Sequence, residues 1–211
     1  MNLITQNSKL KKTSAHFGRR VFNFGIPAYK SVSGEITCPL AGECKDFCYA
    51  RSGAYIWGNV KPAFEKRLEI TKQSNFPELM KAEIVKKKVD FLRVHDSGDY
   101  YSKEYLFKWF EIARSLPSVK FYSYTNNINQ IKKAYSKNEI PDNYDFIFSD
   151  SGKQSHLIDK SKDRHTKIFK SENDLKIHEW IFKEKYVDAS KFDLYATKWI
   201  SDNKKIGLIF H

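Results

Sequence analysis

The sequence predicts an α/β protein built as an open or incomplete (β/α) barrel, TIM-barrel-like, with a cysteine-rich loop after its first strand. Three observations predict it. From residue 59 onward, apolar runs of strand length alternate with amphipathic helical segments. Helices between successive strands impose parallel pairing, because each strand must cross back before pairing with the last. A chain of 211 residues is short for the eight units of a closed barrel. A flat doubly wound sheet is the second reading. No repeat, low-complexity tract or linker divides the chain, so a single domain over 1–211 is expected, with an N-terminal segment 1–58 and β/α units over 59–211.

The elements follow in order. Residues 22–27 supply a first strand, and the rest of the first quarter reads as irregular. Helices are expected over 60–73 and 76–88, with Pro77 in a first turn that tolerates its missing N–H. Residues 89–95 form a strand. Over 102–115, Tyr105, Leu106, Trp109, Phe110 and Ala113 fall on one helix face, with Ser102 as N-cap. A strand at 119–125, a short helix at 128–136, a strand at 144–149 and another at 166–169 follow. Ser171 and Asp174 have capping-box spacing and open a helix running to about residue 186.

Composition narrows the function classes. The chain is 41% hydrophobic and 15% aromatic, enough for a core, and no apolar run reaches the length of a membrane span. Its 37 basic residues outnumber 25 acidic ones, giving +12 and making a polyanion such as nucleic acid a candidate partner. That signal is weak, because only seven of the 37 are Arg and the densest run is Lys86, Lys87 and Lys88. The N-terminus lacks the basic-then-apolar layout of a secretory signal, so a reducing cytoplasm is expected. Three cysteines, an odd number, argue against a disulfide framework.

All three lie in TCPLAGECKDFCYA, as Cys38, Cys44 and Cys48. Pro39 and Gly42 let the backbone curl, and thiolates on one loop can wrap a metal centre. The leading expectation is one 4Fe-4S cluster held by three cysteines, with its fourth iron open to a small molecule or taken by His95 or Asp96. Zinc completed by a histidine, and three buried reduced thiols, stay open as alternatives.

The second informative segment is FLRVHDSGDYYS. In parallel α/β folds, loops at the C-terminal ends of strands carry the chemistry, which places Arg93, His95, Asp96, Ser97, Gly98 and Asp99 at a candidate site. Period-two alternation puts Arg93 and His95 on one face, pointing into the barrel. Such inward cations need an anionic partner. The next strand ends are also polar and add Thr125 and Asp150 to the candidate small-ligand residues. His16, His156, His165, His178 and His211 lack paired metal spacing. Hydrolase, P-loop and dinucleotide fingerprints are absent.

A cysteine loop after the first strand, then strand, Ser-Gly-Asp and helix, resembles the radical S-adenosylmethionine superfamily, although C-x5-C-x3-C departs from its common C-x3-C-x2-C. The resemblance implies S-adenosylmethionine as a second candidate cofactor, its amino group held by Ser97, Gly98 and Asp99. A closer resemblance, over the first 150 residues, is to the gene-product-88 family of bacteriophage proteins. It rests on Asn7 to Lys9, Gly25 to Ala28, Thr37 to Tyr55, Arg93 to Trp109 and Phe121 to Thr125. It implies a phage origin, the cytoplasm of an infected host cell and a barrel-like iron–sulfur protein, with no reaction specified.

Two readings result. One is a phage iron–sulfur protein with redox or radical chemistry on a small molecule. The other is a zinc-stabilised basic module that binds nucleic acid or a host protein without catalysis.

Overall fold

The computed structural model describes residues 2–209, so His211 lies outside the described residues. Seven strands form one sheet: β1 (Val21–Phe24), β2 (Phe91–Val94), β3 (Lys120–Thr125), β4 (Tyr144–Ser149), β5 (His165–Phe169), β6 (Val187–Asp188) and β7 (Lys205–Ile209). Their spatial order is β1-β2-β3-β4-β5-β7-β6, and every neighbouring pair is parallel. The sheet curls into a half-barrel. Six helices accompany it: α1 (Ser8–Phe17), α2 (Lys61–Lys72), α3 (Phe76–Lys86), α4 (Lys103–Ser115), α5 (Ile128–Ser136) and α6 (Glu172–Phe182).

Local chemistry sets the boundaries. Ser102 Oγ accepts from Tyr105 N at 3.1 Å, and Ser171 Oγ accepts from Asp174 N at 3.0 Å, so both expected caps form. The reciprocal half of the second differs from a capping box, because the Asp174 carboxylate accepts from Lys170 N, one residue further out. The helix it opens ends at Phe182, where Lys183 adopts φ 53. Pro77 sits in the first turn of α3.

Two places differ from the sequence expectation. The first quarter is not wholly irregular, since α1 is capped by Asn7, whose Oδ1 accepts from Leu10 N at 2.9 Å, and is closed by Gly18 at φ 61. Its polar composition leaves little periodicity to read. The sheet also gains β6 and β7, with β7 inserted between β5 and β6. Gly207 interrupts its apolar run because a Cβ there would lie 2.5 Å from Leu175 of α6.

The two faces of the sheet bury different partners. On one, Leu92, Val94, Phe121 and Phe146 pack in one cluster with Ile84 of α3, Trp109 and Phe110 of α4 and Ile131 of α5. On the other, Phe91, Tyr122, Ile147 and Ile206 pack with Leu10 of α1 and with Leu194 and Ala196 of a short turn near the C-terminus. The period-two reading of β2 is therefore realised, with Leu92 and Val94 toward the helices and Phe91 toward the inner face. Among the described residues no helix is long and apolar enough to cross a membrane.

Candidate functional site

The segment between β1 and α2 is a series of short 3-10 turns at Gly42–Lys45, Tyr49–Arg51 and Gly53–Ile56. Hydrogen bonds tie it across the ends of the strands. Thr37 Oγ1 donates to the Pro27 carbonyl at 2.6 Å, and the Thr37 carbonyl accepts from Asp99 N at 3.1 Å. Lys153, beyond β4, donates its backbone N–H to Leu40 O at 2.9 Å and its ammonium to Pro39 O at 3.0 Å. Gly42, at φ 55, lies so close to the loop after β4 that a Cβ would meet Lys153 N at 2.8 Å. Together these contacts border a cleft of about 170 Å³ over the C-terminal edge of the sheet.

The cavity brings together Cys38, Cys44, Cys48, Arg93, His95, Asp96, Ser97, Gly98, Asp99 and Thr125. Asp150 does not line it; its carboxylate pairs with Lys160 at 3.6 Å outside. Sequence reasoning missed Tyr49, whose ring is half exposed while its hydroxyl donates to the Asp96 carbonyl at 2.5 Å and accepts from Arg93 at 3.0 Å. It also missed Asp193, for which 100 residues of separation from Arg93 left no local signal.

The expected four-iron cluster on Cys38, Cys44 and Cys48 is corrected. Among the described residues no group of three or more His, Cys, Asp and Glu side chains is placed to hold a metal ion, and this also removes the zinc-stabilised alternative and the completing role of His95 or Asp96. The three cysteines are free. Burial pushes all three thiols up, Cys44 to about 11, and for Cys38 and Cys44 the Asp99 carboxylate adds repulsion. The Cys38 sulfur instead accepts from Tyr29 N at 3.3 Å.

Arg93 leaves β2 on the inner face, where Asp193 supplies the anionic partner that a buried guanidinium requires, at 3.3 Å and with no exposure of its own side chain. The Tyr124 ring lies 4.7 Å beneath the guanidinium. His95 departs from the alternation. It follows the last residue of β2 at φ 68, which turns its ring toward the helices, where Nε2 lies 2.9 Å from the Tyr105 hydroxyl and the ring packs edge-on to Tyr100. Burial, with Arg93 second, pushes its pKa down to about 3, so the imidazole is neutral.

Asp96 accepts from Asn23 Nδ2 at 2.5 Å and from the Tyr55 hydroxyl at 3.3 Å. Burial raises its pKa to about 6 against the opposing pull of Arg93 and Arg67. These two groups give opposite pH dependence. His95 binds its proton less readily folded than unfolded, so stability falls as pH drops from 6.5 toward about 3. Asp96 binds its proton more readily folded, so stability rises as pH drops from about 6 to 3.8. Between about pH 4 and 6 the two offset one another. Asp96→Asn is expected to uncover the histidine, giving a loss of about 1.4 kcal/mol per pH unit on acidification in that window. Urea unfolding at fixed pH values measures it, and a slope unchanged from the parent protein would count against a buried neutral His95.

Ser97, Gly98 and Asp99 make the turn. Gly98 adopts φ 84, and a Cβ there would lie 2.3 Å from Ile26 Cγ1, so the glycine serves close packing of the loops after β1 and β2. Gly98→Ala is expected to cost about 2–3 kcal/mol, from left-handed strain plus overpacking, read as a lowered urea midpoint. Asp99 accepts from Tyr100 N at 2.8 Å, Thr125 Oγ1 at 2.7 Å and Asn126 N at 2.9 Å, which ties the mouth of β2 to that of β3. The cavity wall also holds buried polar atoms without a protein partner, His95 Nδ1 and Asn126 Oδ1 among them.

No curated protein and no solved structure matches the chain. The likeness to the radical S-adenosylmethionine superfamily is thus unsupported. One family model does match, described as Gene product 88, over residues 1–207, well past the 150 residues that carried the resemblance in sequence. A match across nearly the whole chain, including the cysteine segment, the Ser-Gly-Asp turn and all strands up to the start of β7, shows that the chain belongs to the gene product 88 family of bacteriophage proteins.

Proposed function

We propose that this protein binds a small polar molecule in the cavity at the C-terminal edge of its sheet. The carrying observation is the convergence of the loops: those after β1, β2, β3 and β4 meet on one cleft of about 170 Å³ whose wall keeps buried polar atoms unpartnered. Such atoms are costly unless a ligand or water satisfies them. Ligands of curled parallel sheets sit at this edge, and the curl is that of a partial, TIM-barrel-like β/α barrel. In this reading Ser97 presents its hydroxyl to the ligand, Thr125, Asp99 and Gly98 hold the mouth in shape, Arg93 closes the inner side and the three thiols form the soft, polarisable wall opposite.

The test is to purify the protein from its expression host without denaturant, release bound small molecules with acid and identify them by mass spectrometry. A stoichiometric molecule is expected, together with slower iodoacetamide labelling of Cys44 and Cys48 before release than after it. Ser97→Leu, which fills the cavity, is expected to abolish both while retaining the far-UV spectrum. The reading fails if nothing is released and an extract of host small molecules neither raises the melting temperature nor slows thiol labelling.

A further inference from the structure

A second cavity, of about 420 Å³, lies on the inner face of the sheet beside the first. Tyr49, Arg93, Tyr124, Ile168 and Leu208 line both, so they adjoin through shared walls. The charged residues lining the inner one are Lys9, Arg93 and Asp193. Lys9 Nζ lies 2.7 Å from Asp193 Oδ1 and Arg93 Nη1 lies 3.3 Å from the same oxygen, so one carboxylate serves two cations. Asp96 feels Arg93 first and Arg67 second, so counting it adds a third cation along with a second carboxylate and leaves the surplus at one. Arg93 is itself only 8% exposed, and its Nε has no partner.

The end of a helix adds to this surplus. Asn7, Ser8 and Lys9, at the start of the ten-residue α1, line the same cavity. The first turn of α1 contains no acidic residue, and the N–H groups of Ser8 and Lys9 have no intrahelical acceptor. The positive end of the helix dipole thus faces the space that Lys9 and Arg93 border. Apart from Ser190, the remaining wall is aromatic and aliphatic, from Tyr49, Tyr55, Tyr124, Ile168, Leu208 and Ile209.

We infer that the inner cavity takes the anionic end, a carboxylate or phosphate, of an amphipathic small molecule whose polar remainder reaches the outer cavity. This rests on the ligand cavity proposed above and specifies the class of molecule it takes. One net positive charge in a partly dry site matches one anionic group, and an arginine with a free Nε beside a helix N-terminus supplies donors in several directions. The tyrosine rings accept the body of the ligand.

The probes are benzoate and phenyl phosphate, titrated by calorimetry into the full chain after acid release and refolding checked by circular dichroism. Saturable binding of at least one is expected. Lys9→Met, at a side chain 27% exposed, removes half of the cation pair with little risk to the fold and is expected to weaken binding tenfold or more. Ser190→Asp places a carboxylate in the wall while retaining an acceptor for Ile209 N, and should weaken it further. No saturable binding of either anion, or binding indifferent to both substitutions, overturns the inference. A neutral molecule recovered from the outer cavity, with no anion bound, overturns it while leaving the proposed function standing.

Discussion

Asp193→Asn is expected to destabilise the protein by about 3–5 kcal/mol, the range found when one partner of a buried ion pair is removed. The Asp193 side chain has no exposure and gathers four donors: Lys9 at 2.7 Å, Tyr122 at 2.8 Å, Arg93 at 3.3 Å and Tyr124 at 3.4 Å. An amide keeps the volume and one acceptor but strands Arg93 as an uncompensated buried cation. Arg93 and Lys9 hold the Asp193 pKa down at about 2 against the opposing effect of burial. Its stabilising contribution is therefore complete above about pH 4 and is lost as pH falls through 2. Urea unfolding at pH 7 measures the substitution. A loss below about 1 kcal/mol would show that water compensates Arg93. Arg93→Met combined with Asp193→Leu should recover only part of the loss: it removes the desolvation penalty of the guanidinium along with the attraction, but leaves the Tyr122 and Tyr124 hydroxyls without their acceptor. Lys9, being partly exposed, can then turn to solvent.

Asp99→Ala is expected to cost at least about 3 kcal/mol, because it leaves three buried donors without an acceptor. The donors are Tyr100 N, Thr125 Oγ1 and Asn126 N, and they belong to the loops after β2 and β3. The effect should therefore be directional. Beyond a lower urea midpoint, the mouth of the outer cavity loosens, and iodoacetamide labelling of Cys44 and Cys48 accelerates in the folded protein. Asp99→Asn keeps one acceptor and should fall between. Equal labelling rates in Asp99→Ala and the parent would show that the cysteine segment is held by its own contacts to Lys153 and Thr37 alone.

Much of this architecture was legible in the residues themselves. The alternation of apolar runs and amphipathic helices required a parallel sheet, and the caps at Ser102 and Ser171 are local chemistry that forms wherever the backbone can reach. Period two along β2 placed Arg93 on the inner face, and the demand of a buried guanidinium for an anion was correct before the anion was known. The clustering of polar residues at strand ends marked the rim on which Ser97, Asp99 and Thr125 meet. α1 was missed because a polar helix held by Asn7 and Gly18 carries almost no hydrophobic period, and β7 because a glycine accommodating Leu175 breaks its run.

Sequence by itself therefore determined the fold class, the inner and outer faces of the strands and the edge at which the polar residues gather, since each follows from periodicity, caps and the obligatory geometry of parallel strands. Tertiary structure alone decided what surrounds them there. Three cysteines within eleven residues suggested a metal centre, yet whether thiols converge as ligands depends on how 25–60 drapes over the strand ends, and there it leaves them as free, half-buried thiols that, among the described residues, form no group placed to hold a metal. The same holds for Asp193, delivered from the far end of the chain to neutralise Arg93, and for His95, which one residue at φ 68 turned from the inner face to the helices. Spacing along a chain constrains neighbours within a turn or a strand; the identity of a partner 100 residues away is fixed only when the sheet closes and the desolvation of each charge has to be met.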